Sequence, residues 1–260
     1  MRTLLSALLL GLLVFPASGQ TIWSRPYEPN QIAVEAIVPD ADDASILSGA
    51  TFLTGTVSLS DNVELAAELP VARYSPTRGS AASTTALGNP YLGVGLSSTS
   101  VPLLVQMGAR LPLAPANAAA RLGQSADMGR TSAFHYEELV LSTLVNGRVS
   151  LGRNSTIRLR TGLEYGSGPR SGGETNRDWR LRYEGQIWRQ GPRLITGFSV
   201  TGQATLSAPA DTRHHAALSV MLNGRRVQPG LVAGTGLNDL FRDGGFAPFV
   251  GLTLSVTYMR

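Results

Sequence analysis

The chain has 260 residues, a net charge of +4 and no cysteine, which excludes a disulfide framework and any thiol chemistry. Its 22 basic residues are all arginine and are scattered instead of massed in a stripe, so nucleic-acid recognition is set aside. Only 15% of residues are charged, while 29 glycines and 15 prolines suit many turns between membrane-facing strands.

Residues 1–19 read as a secretory signal peptide. Arg2 precedes an apolar run from Leu4 to Phe15, Pro16 breaks it, and the small Ala17 and Gly19 set cleavage before Gln20. The run is shorter than the roughly twenty residues of a spanning helix. Residues 20–260 then form a single domain. Gln20 to Asn30 reads as irregular and Gln31 to Pro39 as a first strand. The acidic loop at Asp40, Asp42 and Asp43 is expected to be solvated. Ile46–Ser60 sets Leu53, Val57 and Leu59 against Thr54, Thr56 and Ser58, then turns at Ser60-Asp61-Asn62. On the return, Val63, Leu65, Ala67 and Leu69 share one face, and Glu64 and Glu68 point the other way.

A polar loop, Thr77 to Gly88, precedes the strand Tyr91–Ser97 and its partner Val101–Leu113, on which Arg110 lies opposite an apolar face. Ala114 to Ala133 is the longest irregular stretch, suited to a flexible loop or a constriction folded into a lumen. Phe134–Asn146 alternates weakly, and the connection Gly147–Asn154 follows. Thr156–Tyr165 is sharply two-faced, with Ile157, Leu159, Leu163 and Tyr165 against Arg158, Arg160 and Glu164. After the loop Gly166–Arg177, Asp178 to Leu206 forms a long hairpin. Trp179, Leu181, Tyr183 and Ile187 oppose Arg180, Arg182, Glu184, Gln186 and Trp188, and the chain turns at Gln190-Gly191-Pro192. The link Ser207–Thr212, the strand His214–Leu222, an Asn223-Gly224 turn, Val227–Gly234, a loop at Leu237–Gly245 and Phe246–Tyr258 complete the chain.

About twelve strands of this kind predict an all-β fold, a transmembrane antiparallel up-and-down β-barrel, with ten strands as the alternative. Long links around Asp42, Ser80, Ala120, Gly172, Ala208 and Arg242 alternate with short ones around Asp61, Thr99, Gly152, Gly191 and Gly224. Outer-membrane barrels sort their connections in this way, which puts both termini on the periplasmic side. The expected site is a charged lumen wall of Glu64, Glu68, Arg110, Arg158, Arg160, Glu164, Arg180, Arg182 and Glu184. Such a wall either tunes passage of a solute or pairs internally and locks the barrel. Tyr165, Trp179 and Tyr258 are expected as interface aromatics.

Catalysis is the competing class, since His135, His214 and His215 fall near the outer rim, with Ser132, Glu137 and Glu138 close to the first. No hydrolase motif surrounds them, so exposed loop-edge histidines and no catalytic residue are expected. His214 and His215 point to opposite faces of a strand and make a poor metal pair, so neither metal nor cofactor is expected.

Three segments resemble a known family: Asn62-Val63-Glu64-Leu65-Ala66-Ala67-Glu68-Leu69-Pro70, Gly88-Asn89-Pro90-Tyr91-Leu92-Gly93 and Gly108-Ala109-Arg110-Leu111-Pro112. They are similar to motifs of the outer-membrane transporters associated with meta-pathway phenol degradation. The resemblance covers residues 46–115 and implies a barrel passing small aromatic or hydrophobic compounds, with no catalytic residues to carry over. The expected partners are outer-membrane lipid and lipopolysaccharide, the barrel assembly machinery and a small-molecule solute. The ending Tyr258-Met259-Arg260 departs from the usual terminal aromatic.

Overall fold

The computed structural model describes residues 30–41, 43–77, 82–98, 102–169, 175–237 and 248–258. The expected signal peptide, almost all of the Leu237–Gly245 loop and the end at Met259-Arg260 lie outside the described residues. In chain order the strands are β1 (Gln31–Pro39), β2 (Gly49–Ser60), β3 (Val63–Tyr74), β4 (Thr84–Leu87), β5 (Tyr91–Ser97) and β6 (Leu103–Arg110). There follow β7 (Leu139–Leu151), β8 (Ser155–Pro169), β9 (Thr175–Gln190), β10 (Leu194–Thr205), β11 (Ala208–Leu222), β12 (Val227–Gly236) and β13 (Pro248–Thr257). Neighbours pair antiparallel, and β1 pairs with both β13 and β2, which closes the sheet. β4 and β5 lie against successive stretches of β3, Val71–Tyr74 and Val63–Glu68, and so make one stave broken at Gly88-Asn89-Pro90. The result is a closed twelve-strand barrel.

Alternation decides which residues face where. Leu53, Leu65, Leu92, Leu159, Ile187, Leu218, Leu231 and Leu252 all stand exposed on the outside, while Glu35, Gln106, Arg160, Glu184 and Ser255 are buried inside. A soluble protein would not leave so continuous an apolar belt in water, whereas a bilayer is the solvent it requires. Closure leaves no edge strand whose backbone groups would face hydrocarbon.

Several strands run further than their two-faced pattern suggests. β8 and β9 stay paired as far as Pro169 opposite Thr175, and β10 and β11 are joined by Leu206-Ser207 alone. The long links expected around Gly172 and Ala208 are therefore mostly strand overhang. Above the apolar belt both faces meet water, so the ladder continues while the hydrophobic period fades. In the same way β7 occupies Leu139–Leu151 instead of Phe134–Asn146, its connection shrinks to Gly152-Arg153-Asn154, and part of the expected Thr77–Gly88 loop is β4. β6, by contrast, is shorter than the predicted Val101–Leu113.

The stretch Ala114–Ala133, read as irregular, contains helix α1 (Ala118–Ala126) and a 3-10 helix (Met128–Phe134). Asn117 caps α1 by accepting a bond from the Ala120 amide at 2.9 Å. Ala119, Ala120 and Ala126 pack with Phe134 against Ile37, Ala50, Phe52, Ala72 and Ala86 on the inner wall. Small side chains let the helix lie close to the sheet. A Cβ at Gly123 would stand 2.6 Å from the Phe134 ring, so Gly123 sets that closeness.

Because closure, not a soluble core, holds this fold, membrane-fractionated protein is expected to run faster on a gel unheated than after boiling. Recovery as a soluble protein without heat-modifiable migration would overturn the barrel.

Candidate functional site: a charged lumen and its inserted segment

The inward positions of β8 and β9 form a ladder of charge. Arg160 lies opposite Glu184 and Glu164 opposite Arg180, with Arg182 one rung between them facing Gly162. Arg182 donates to Glu164 at 2.7 Å and to Glu184 at 2.8 Å, and Glu184 also takes Arg160 at 3.5 Å. Across the lumen Arg110 pairs with Glu68 at 2.7 Å, and Gln106 donates to Glu64 at 3.4 Å. All nine residues of the expected charged wall lie on inner faces and are buried. Seven meet along the upper and middle lumen, whereas Glu64 sits two residues past the turn at Asp61-Asn62 beside Gln106, and Arg158 lies towards the short turns, opposite Arg148 and Gln186.

The inserted segment from Leu111 to Glu138 completes the lumen. Arg130 reaches Asp127 at 2.6 Å, Glu35 at 2.7 Å and Glu68 at 3.4 Å, and lies 3.7 Å over the Phe52 ring. Arg182 also donates to the Gly129 carbonyl, so a wall arginine holds the segment directly. Burial pushes the Asp127 carboxyl up, but the neighbouring Arg130 and His215 charges outweigh it and leave the group below the usual carboxylate range. Burial likewise raises Glu138, and bonds and charge from His135 and Arg180 bring it below its ordinary value. His135 Nδ1 is 2.6 Å from Glu138, which also accepts from Arg180 at 2.5 Å.

The second anchor is Asn89, at the break in the β4/β5 stave. Its Oδ1 accepts from the Leu113 and Ala114 amides, each at 2.8 Å, and its Nδ2 donates to the Ser132 and His135 carbonyls at 3.1 and 2.7 Å. Its own amide donates to Ala133 at 2.6 Å. One fully buried side chain therefore ties the segment where it leaves the wall and where it returns. The space left beside the segment is a cavity of about 80 Å³, lined among others by Glu68, Arg110, Arg130, Arg160, Glu184 and His215. That is room for roughly two or three waters.

Sequence reasoning missed Glu35, Asn89, Asp127 and Arg130. Glu35 was readable, because it sits between Val34 and Ala36 on a strand that otherwise alternates, and Asn117 three residues before Ala120 was a usable helix cap signal. Of the three histidines expected at loop edges, His135 does lie in the loop ahead of β7, half-buried, but His214 and His215 do not. His215 is buried in the lumen, and His214 faces outwards, its Nε2 2.5 Å from the Tyr183 hydroxyl. The reason is again strand overhang: β11 begins at Ala208, which draws both histidines down into the wall. Of the expected aromatics, Tyr165 and Trp179 stack on the outside with centroids 5.1 Å apart. Tyr258 donates to the Thr56 carbonyl at 2.8 Å at the opposite end. No group of three or more metal-ligating side chains occurs among the described residues.

No family model matches the chain, and no curated protein does. Among solved structures it is similar to the NanC porin, with a TM-score of 0.61, 9% identity, and 87% of this chain and 100% of that one covered. The KdgM porin gives a TM-score of 0.55 at 8% identity over 88% and 99% of the two chains. An outer membrane channel from Pseudomonas putida F1 gives 0.56 at 13% identity over 93% and 100%. At these identities the likeness is one of fold, a porin-like outer-membrane barrel. Nothing in it supports the link to phenol degradation that the sequence motifs imply.

Two outcomes test the anchors. Asn89→Ala strands two amides and two carbonyls at about 1–3 kcal/mol each, so exchange at Leu113 and Ala114 is expected to quicken by roughly tenfold or more. Unchanged exchange would remove Asn89 from that role. Asp127 and Glu138 sit below their ordinary range when folded. Their contribution is therefore present above the unfolded values near pH 4 and is lost as pH falls through the lower folded ones. With no native cysteine, a spin label at Arg121→Cys on α1 is expected to stay immobile from about pH 7 to about pH 5 and to loosen only below about pH 4. Loosening near pH 6 would contradict the seating by these carboxylates.

Proposed function

We propose that this chain is an outer-membrane channel for small polar or charged solutes, held shut at rest by its inserted segment. The observation that supports this reading is that α1 and the 3-10 helix pack inside the barrel against the inner wall, with a cavity of about 80 Å³ beside them. Interiors of about eight strands are just filled by their own side chains, and twelve strands leave room in which the inserted segment lies. The charged wall favours a polar solute over the aromatic or hydrophobic one that the family resemblance implies. Glu64, Glu68, Arg110, Arg160, Glu164, Arg180, Arg182 and Glu184 would then set ion selectivity, with Arg158 at the inner mouth. In this reading the short turns face the periplasm, the apolar belt meets lipid and lipopolysaccharide, and the barrel assembly machinery inserts the exported chain.

A second reading has its own support. The lumen charges pair with one another, which suits a structural or adhesion barrel that conducts nothing. Conductance separates the two. Removing a partner from a buried ion network costs about 3 kcal/mol or more, so Arg130→Ala is expected to raise open probability on the order of a hundredfold in planar bilayers. A barrel silent both in this variant and after deletion of residues 115–134 would end the channel reading.

A further inference from the structure

Three short turns are stitched into one platform at the end of the barrel away from the inserted segment. The Gln190 amide donates to the Asn154 carbonyl at 2.7 Å, which ties the turn Gly152-Arg153-Asn154 to the turn Gly191-Pro192-Arg193. Asn223 ties the next turn, its amide donating to the Arg193 carbonyl at 2.8 Å and its Nδ2 to the Gly191 carbonyl at 2.7 Å. On this platform Arg189, Arg193 and Arg225 stand exposed at a fixed spacing. No Asp or Glu occurs in residues 185–210 or 212–238, so both hairpins turn on basic residues alone. The long-loop end mixes signs instead, with Asp40, Asp43, Glu137 and Asp178 alongside Arg73 and Arg177. The same stretch of wall carries the margin of the apolar belt: Ile187, Leu194, Phe198, Val220 and Leu222 are exposed on the outside. Pairing sets Leu194 opposite Leu222 and Ile187 opposite Phe198, so these side chains form one continuous patch. Arg189 falls on the outward face two residues beyond Ile187, where its stem can lie along that patch and its guanidinium reach water.

We infer that the outer edge of the β9–β12 turns is a binding site for an anionic phospholipid, its headgroup held by Arg189, Arg193 and Arg225 and its acyl chains laid along Ile187, Leu194 and Leu222. Basic residues clustered at a membrane margin attract acidic headgroups, and forked guanidinium donors match two oxygens of a phosphodiester. A free anion would use the arginines alone, whereas a phospholipid uses the arginines and the apolar patch together. The hydrogen bonds through Gln190 and Asn223 hold the turns in place beforehand, which lowers the ordering cost of binding. That the lipid belongs to the periplasmic leaflet rests on the orientation proposed above for the short turns; the binding itself stands whether or not the lumen conducts.

Native mass spectrometry of the detergent-solubilised full barrel tests the site, with phosphatidylglycerol and phosphatidylcholine of the same acyl chains offered together. Phosphatidylglycerol is expected to be retained about tenfold more or better, and equal retention overturns the site. Each of Arg189→Gln, Arg193→Gln and Arg225→Gln is expected to lower the preference about fivefold, and the triple variant to abolish it. All three side chains are exposed, so heat-modifiable migration is expected to survive these changes. Arg177→Gln, at the opposite end of β9, is expected to leave the preference intact. A preference that outlasts the triple variant, or that Arg177→Gln lowers equally, overturns the assignment. Inorganic phosphate separates the sources: displacement of the lipid no greater than by chloride of equal ionic strength supports a phospholipid site, and selective displacement overturns it in favour of a free anion. Conductance measured in parallel keeps the readings apart, since a silent barrel that keeps the preference removes the channel and leaves this site, and a conducting barrel without it does the opposite.

Discussion

The constraint on which the structure depends is that no backbone amide or carbonyl can be left unpaired in hydrocarbon. Closing the sheet by pairing β1 with β13 and β2 with β3 satisfies it for the wall. The ladder is interrupted where Gly88-Asn89-Pro90 separates β4 from β5 within one stave. There the Asn89 amide donates to the Ala133 carbonyl and its carbonyl accepts from Arg110, while its side chain ties the inserted segment to the wall by accepting from two amides and donating to two carbonyls. The inserted segment thus supplies a partner for the wall at its break as well as lying within the lumen.

Closure also dictates what is inside. With alternate residues of the apolar belt committed to lipid, the charges at that level lie on the other face, and a charge withdrawn from water must find a partner. The upper lumen does this with arginines that each serve more than one acceptor. Arg130 reaches three carboxylates and Arg182 two carboxylates and a carbonyl, and only a forked guanidinium can do this from one side chain. Lysine, a single compact charge, would leave some of these oxygens unpaired, which gives a physical reason for the chain's exclusive use of arginine inside the barrel. Phe52 adds a cation–π contact to the same guanidinium, so the apolar seat of α1 and the polar network meet at one residue.

How much of this was legible depended on whether a residue's role follows from a period. The wall arginines and glutamates of β8 and β9 could be read because alternation over ten residues fixes which way each side chain points. Trp188 could be assigned to the inner face for the same reason, although its chemistry suggests lipid. Asp127 and Arg130 had no such guide, since they lie in a segment whose course is set by Asn89 and by small residues against the wall, contacts between positions far apart in sequence. The overhanging ends of β8 to β11 were missed because the cue being read was hydrophobic contrast, and above the membrane water removes that contrast without removing the ladder.

The paired arginines of the upper lumen bear on what could open it. In the upper lumen the guanidinium charge is already cancelled, so an anion entering there must compete with Glu35, Glu68, Glu164 or Glu184 before it gains anything. An acidic solute can do so only by loosening the contacts of Arg130 and Arg182, which are also the contacts that hold the inserted segment. On the channel reading, release of the segment and passage of an acidic solute would therefore draw on the same guanidinium groups.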